Sequence, residues 1–360
     1  MYSDADLDAA ITAGVLSPEA ATAFRAHVAS GRATPAVDEE HFRLISGFND
    51  IFVSAAAILL LIAVGWIGQS IPIGVADGPR PSGGLFVAGA AWGLAEFFTR
   101  QRRMALPSIV LLLAFVGGTF YTTIGAVAPL LDDGDPFGSG QRTLSLLLLA
   151  GCSAVTAAAA WAHWRRFRVP ITIAAASLAI VGLVTLLIAS AFKDPDGVLV
   201  WLALAGGLGL FAFAMWWDMS DPERRTRRSD VAFWLHLAAA PMIVHPVFSL
   251  LGLLDGQATV FEAVVVILLY IAFGVIALAI DRRALMVSAL GYVLYAMSTL
   301  FERFGAVSLN VALTALVIGS ALLLLSAFWH IARAGILAQL PADLRDRLPR
   351  QGRAGGTVPA

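Results

Sequence analysis

Residues 233–252 read FWLHLAAAPMIVHPVFSLLG, a run without a charged side chain. About 20 residues of this kind carry a helix across the ~30 Å of hydrocarbon in a bilayer. The run is apolar around its whole circumference, unlike a surface helix, which keeps a polar face. It therefore reads as a membrane span, although His236, His245, Pro241 and Pro246 interrupt it. The rest of the chain agrees: 59% of its 360 residues are hydrophobic and 14% charged, where soluble domains run near 45–50% and about 25%. The fold class expected is an all-α, polytopic helical membrane bundle.

Composition also narrows function. The formal net charge is −1, so no global basic field exists to bind nucleic acid. Cys152 is the single cysteine; it supports neither an internal disulfide nor a thiolate metal cluster and reads as a small buried apolar residue. No metal and no cofactor are expected. The acidic start, MYSDADLDAA, lacks the basic region and short apolar core of a secretory signal. Arginine nearly replaces lysine, Lys193 being the only one, a usage associated with GC-rich bacterial genomes. The expected location is the bacterial cytoplasmic (inner) membrane.

Charged interruptions divide the chain into ten expected spans: 50–71, 84–99, 105–127, 143–163, 170–192, 197–217, 231–254, 259–280, 285–301 and 307–331. The second and ninth are short. Basic residues favour short cytoplasmic loops, and here they alternate. Arg100, Arg102 and Arg103, then Arg165, Arg166 and Arg168, then Arg224, Arg225, Arg227 and Arg228, then Arg282 and Arg283 follow the even spans. The intervening loops hold only Arg80, Arg142, Lys193 and Arg303, so the balance is twelve to four. That alternation predicts an even number of spans with both termini cytoplasmic. The clusters recur at roughly sixty residues; tandem hairpin duplication and the topology rule acting alone both account for it. No residue-level match marks a five-plus-five inverted repeat.

The division expected is a cytoplasmic helical hairpin over 1–47, a transmembrane domain over 48–332 and a cytoplasmic tail over 333–360. In the hairpin, Ser3 caps a first helix that Gly14 ends, and Ser17 with Pro18 starts a second running to about Ala29. Leu7, Ile11, Val15, Leu16, Phe24 and Val28 can share one apolar face. So small a hairpin buries too little surface to stand alone, which implies docking on the membrane domain, a second copy or a cytosolic partner. In the tail, Leu337, Leu340, Leu344 and Leu348 fall at three- and four-residue spacing between arginines, the pattern of an interfacial amphipathic segment; a solvated tail fits equally. The pattern DLDAAITAGVLSPEAATAFRAHV at residues 6–28, followed by many apolar spans, resembles bacterial polytopic membrane proteins of domain-of-unknown-function families that begin with a cytoplasmic helical hairpin. That resemblance implies location and architecture, and no catalytic residues.

An ionisable residue inside a span is a functional candidate because burying its charge costs at least ~2.5–3.5 kcal/mol at mid-helix. Glu96 lies one turn from Arg100 and reads as a partner of the basic cluster. Asp218, Asp281, His163 and His330 sit at span ends and read as interfacial, and Glu262 and Glu302 lie near the opposite rim. His236 is close to the start of the seventh span, while His245 is nine residues further, roughly 13 Å deeper. Nine residues turn a helix by close to a half-turn beyond whole turns, so the two imidazoles point apart and do not share a metal. Pro241 and Pro246 leave the carbonyls of Leu237 and Met242 without their helical donors, which suits a cavity lining. Ser249 shares the face of His245.

Small residues in ALAGGLGLFAFA, SALGYVLYA and LLAFVGGTFY permit close helix packing. No Walker loop, Gly-x-Ser-x-Gly elbow or Cys-x-x-Cys occurs, and no enzyme class is indicated. Two hypotheses follow. A secondary transporter or permease for a small molecule would bring His245, Tyr121, Glu262 and Glu302 to a wet cavity. A non-catalytic scaffold or sensor would have a dry bundle and present residues 1–47 to a cytosolic protein.

Overall fold

Four arginine-rich turns recur along the protein, and the first three each reverse the chain between two apolar helices. In the computed structural model, residues 4–24, 48–71, 80–130, 142–192, 195–221, 224, 226–252, 260–283, 286, 290–291, 293–294, 310–345 and 348 are described. All regular structure among them is helical. The chain divides into two compact units, one formed by 1–42 with 350–360 and the other by 43–349.

In the first unit, α1 (Asp4–Thr12) ends at Gly14, whose φ of +68° suits glycine. The Val15 N–H reaches back to the Ala10 carbonyl at 3.0 Å, closing a Schellman cap. Ser17 then accepts the Ala20 N–H at 3.2 Å ahead of helical residues 18–24, so both expected caps are present. Leu7 and Ala21 are buried, but Val15 is 79% exposed, placing it off the shared face. Ser3, Val28 and the rest of the expected hairpin lie outside the described residues.

In the second unit, α2 (Phe48–Ser70) is followed by α3 (Pro81–Ala95), which winds into a π-helical turn over Glu96–Gln101. Then come α4 (Ala105–Val127), α5 (Arg142–Phe167), α6 (Ile171–Ala189), α7 (Asp196–Met219) and α8 (Arg227–Leu250). The chain continues with α9 (Val260–Ile280), α10 (Asn310–Ala327), α11 (Trp329–Gln339) and α12 (Ala342–Arg345). Among the described residues, six helices, α2 and α4 to α8, are long and apolar enough to cross a membrane, or seven if the bent pair α10 and α11 counts as one span. This is a multi-pass integral membrane protein whose apolar helices contact the bilayer.

Two of the expected spans take a local form of their own, and a third lies largely outside the described residues. Helix α3 has 15 residues and reaches the first arginine turn only through its π-helical extension. The segment expected over 307–331 is not one helix, because the chain bends by 73° at Phe328. Of 285–301, only a few single residues are described.

Helices α2, α3 and α4 pack on one another, α4 leads to the α5–α6 pair, and α6, α7 and α8 form a second trio, with α9 against α11. Close approach in lipid needs small residues. A Cβ added to Gly118 would sit 2.8 Å from the Gly84 carbonyl oxygen, and one on Gly84 would fall on the Gly118 carbonyl, so α3 and α4 touch backbone to backbone. Gly207 of α7 does the same to α8: its Cβ would lie 2.7 Å from the Met242 carbonyl oxygen. That carbonyl is the one Pro246 cannot serve. It is covered by a neighbouring backbone.

The turns themselves recur. Among the described residues the four non-glycines with φ in the left-handed region are Arg103 (+53°), Arg168 (+57°), Arg224 (+52°) and Asp281 (+57°), one in each arginine turn. Arg102 and Arg282 then donate their N–H groups to the carbonyls of Phe97 and Ala277, each at 2.9 Å. Such conformations cost roughly 1–2 kcal/mol for a side-chain-bearing residue. A bias toward basic loops requires charge but not this geometry, so the repetition favours a shared hairpin plan.

Candidate functional site

The turns are joined by ionic and hydrogen bonds that pass from one hairpin to the next. Glu96, after α3, accepts Arg166 at 2.7 Å and 2.9 Å through both carboxylate oxygens, and Arg100 at 3.3 Å, as its position beside the basic cluster led us to expect. Arg227 donates to the Arg168 carbonyl at 3.4 Å. Arg224 donates to Asp281 at 2.9 Å and to the carbonyls of Ile280 and Asp281.

The deepest part of this belt is a buried cluster around Asp218, the residue before the end of α7. Its carboxylate faces His236 Nε2 of α8 at 2.8 Å and accepts Arg282 Nε at 3.2 Å, while Arg282 Nη2 bonds its other oxygen. The exposures are 0% for His236, 1% for Asp218 and 1% for Arg282. An ionised carboxylate only accepts, so opposite Asp218 it is Nε2 that carries the imidazole hydrogen. His236 Nδ1 is buried with no hydrogen-bond partner among the described residues, and Phe211 stands edge-on to the ring at 5.2 Å. Arg282 also reaches the Ser229 carbonyl at 3.3 Å.

Beside it, Asp281 gathers a second set of donors. Trp329 Nε1 lies 2.7 Å from one oxygen and Arg333 Nε 3.7 Å, while Arg333 also donates to the Leu278 carbonyl at 3.1 Å. Burial alone would raise the Asp281 carboxyl above its ordinary value. The Arg224 charge, the Trp329 indole N–H and the Arg333 charge outweigh it and hold the pKa low. The Arg333 side chain is fully buried. Hence α11 is anchored at Arg333. Carboxylates at the ends of α7 and α9 thus tie together α8, α11 and two arginine turns.

The residues expected from sequence are redistributed. His236, read as interfacial, is among the most buried side chains, whereas His245 is exposed on the outer side of α8. The half-turn offset between them holds, with His236 on the buried face of α8 and His245 on an exposed one. Ser249 is partly buried, Pro241 exposed and Pro246 buried, and α8 remains helical through both prolines. Tyr121 lies on α4, at a groove made by α2, α3 and α4 that includes no residue of α8. Glu262 is in α9 with its side chain outside the described residues, as is all of Glu302, so the expected convergence on His245 is not formed by Tyr121.

His163, also read as interfacial, is fully buried among Trp92, Phe115 and Phe167, with Thr172 Oγ1 at 3.4 Å from Nδ1. Asp218, Arg282 and Arg333 were missed as site residues. The DRR run at 281–283 was visible as a topological signal, but nothing local announces that Arg282 turns inward. Cys152 is buried in α5.

Chemically, the arrangement offers one imidazole held by a carboxylate that two neighbouring elements share, in a site closed to water. No protein-family model, curated protein or solved structure matches this chain.

Proposed function

We propose that this protein is a secondary transporter or permease for a small molecule, not an enzyme, in the inner membrane of a bacterium, with ten spans and both termini cytoplasmic. The observation that carries the reading is the His236–Asp218–Arg282 cluster. Ionisable groups buried inside a membrane bundle are costly and sit, as a rule, on ion or substrate pathways. A carboxylate shared by an imidazole and a guanidinium gives a proton a defined seat, and protonation of Asp218 would weaken its hold on Arg282. Opening and closing the contact between α7 and α8 would then follow protonation. His245, exposed and a half-turn away from His236, lies outside this cluster.

The test uses proteoliposomes containing a pH-sensitive dye and a panel of amino acids, sugars and organic acids. A transported compound is expected to drive proton entry in the wild type and in His245→Gln, and not in His236→Gln. If no compound does so, and amides 232–240 stay protected from deuterium exchange at both pH 5.5 and pH 8, the transport reading fails. The second reading, a scaffold or sensor presenting residues 1–47 to a cytosolic protein or to another copy, is supported by the exposed Val15 and Phe24. It requires that deletion of 1–47 abolish a cellular phenotype while the membrane domain still folds.

A further inference from the structure

On the helix ends opposite the arginine turns, α2, α3 and α4 enclose a groove of about 600 Å³, within the ~300–1,000 Å³ typical of small-molecule sites. The recess exists because glycines replace side chains on its walls. Gly65, Gly83, Gly84, Gly117 and Gly118 all line it, and the Gly84–Gly118 contact forms its floor. Ile58, Ile62 and Trp66 of α2 form one lip and Ala114 of α4 the other. From Ile58 to Gln69 the lining follows eleven residues of helix, roughly 16 Å of axis, close to the ~15 Å hydrocarbon depth of one leaflet.

Its polar groups are confined to one end. Gln69 donates to the Tyr121 hydroxyl, Arg80 N–H lies 3.3 Å from Gln69 Oε1, and the Arg80 guanidinium donates to the Gln69 carbonyl at 2.8 Å. Arg80 is the residue that precedes α3, so a guanidinium stands beside the Gln69 and Tyr121 end of the groove. An occupant that is apolar along about one leaflet and anionic at that end matches this arrangement.

We infer that this groove holds one acyl chain of an anionic phospholipid, with its phosphate at Arg80, Gln69 and Tyr121. Trp66, 77% exposed, then lies against the same lipid at the interface, where tryptophan is favoured. The inference is independent of any role for His236.

Native mass spectrometry of the full chain after detergent washing tests it, with phosphatidylglycerol and phosphatidylcholine of identical acyl chains as probes. A Cβ at Gly117 meets nothing within 4 Å, so Gly117→Leu fills the groove without a backbone clash; Ala114→Leu is a second filler. Wild type is expected to retain one phosphatidylglycerol, preferred over phosphatidylcholine by about fivefold, the ratio implied by ~1 kcal/mol per arginine near anionic lipid. Both fillers are expected to lose the retained lipid while keeping the wild-type thermal transition, and Arg80→Gln to level the preference. Retention of the lipid by both fillers would overturn the inference, as would an unchanged preference in Arg80→Gln. So would a lipid-free dimer that Gly117→Leu separates, because a second copy would then be the occupant.

Discussion

Replacing Asp218 by leucine removes the acceptor that Arg282 and His236 share. Arg282 is left as a guanidinium 1% exposed, still bonded to the Ser229 carbonyl at 3.3 Å and attracted by the Asp281 and Asp230 carboxylates. Breaking one side of a buried ion pair costs about 3–5 kcal/mol, and those two carboxylates place the expected loss toward the lower end. Replacing both partners, in Asp218→Leu/Arg282→Met, takes that charge away. What remains is the His236 Nε2 hydrogen without an acceptor, a penalty of about 1–3 kcal/mol. The double variant should therefore be more stable than the Asp218→Leu single variant, an inversion that additive surface effects do not produce. Unfolding in mixed detergent micelles, followed by circular dichroism, measures all three proteins. The reasoning fails if Asp218→Leu costs less than about 1 kcal/mol, the range of solvated pairs, or if the double variant is the less stable of the two.

Gly207→Ala puts a Cβ 2.7 Å from the Met242 carbonyl oxygen and should cost about 1–3 kcal/mol in the same assay. Gly209→Ala meets nothing within 4 Å and should stay within about 0.5 kcal/mol of wild type; equal effects would remove the backbone contact from the account. Asp281 contributes stability that is full above the ordinary aspartate pKa of ~3.9 and is lost as pH falls through its lower folded value. Asp281→Asn should accordingly flatten the acid limb of the stability profile below about pH 4, and an unchanged limb would contradict the assignment. Arg103, at φ +53°, should tolerate glycine with a gain of up to about 1 kcal/mol and lose about 1–2 kcal/mol as valine, measured by the same unfolding. No gain with glycine and no loss with valine would mean that the turn is not left-handed.

The helices and their turns were legible because their signals are local. Apolar length marks the spans, arginine marks one end of each hairpin, and Gly14 and Ser17–Pro18 write their own caps. Helical geometry also separated His236 from His245, since nine residues place two side chains on opposite faces. What sequence did not supply was which face is inside. Depth from the start of the span pointed to His245, but burial is decided by the neighbours: Asp218 is 18 positions before His236, and Arg282 is 64 positions after Asp218. Arg282 and Arg283 look identical as loop charges. Yet Arg282 turns into the bundle and Arg283 lies over the Trp329 ring at 4.9 Å. Nor did sequence reveal that Gly207 on another helix covers the carbonyl that Pro246 leaves open.

What matters most is that the His236 imidazole is held by the Asp218 carboxylate inside the bundle. Solid-state NMR dephasing between histidine ring ¹⁵N and aspartate carboxyl ¹³C in lipid bilayers tests it directly, since a 2.8 Å N···O contact brings those nuclei close. Strong dephasing that persists in His245→Gln and disappears in His236→Gln is the predicted result; dephasing that disappears with His245 and survives without His236 would contradict it.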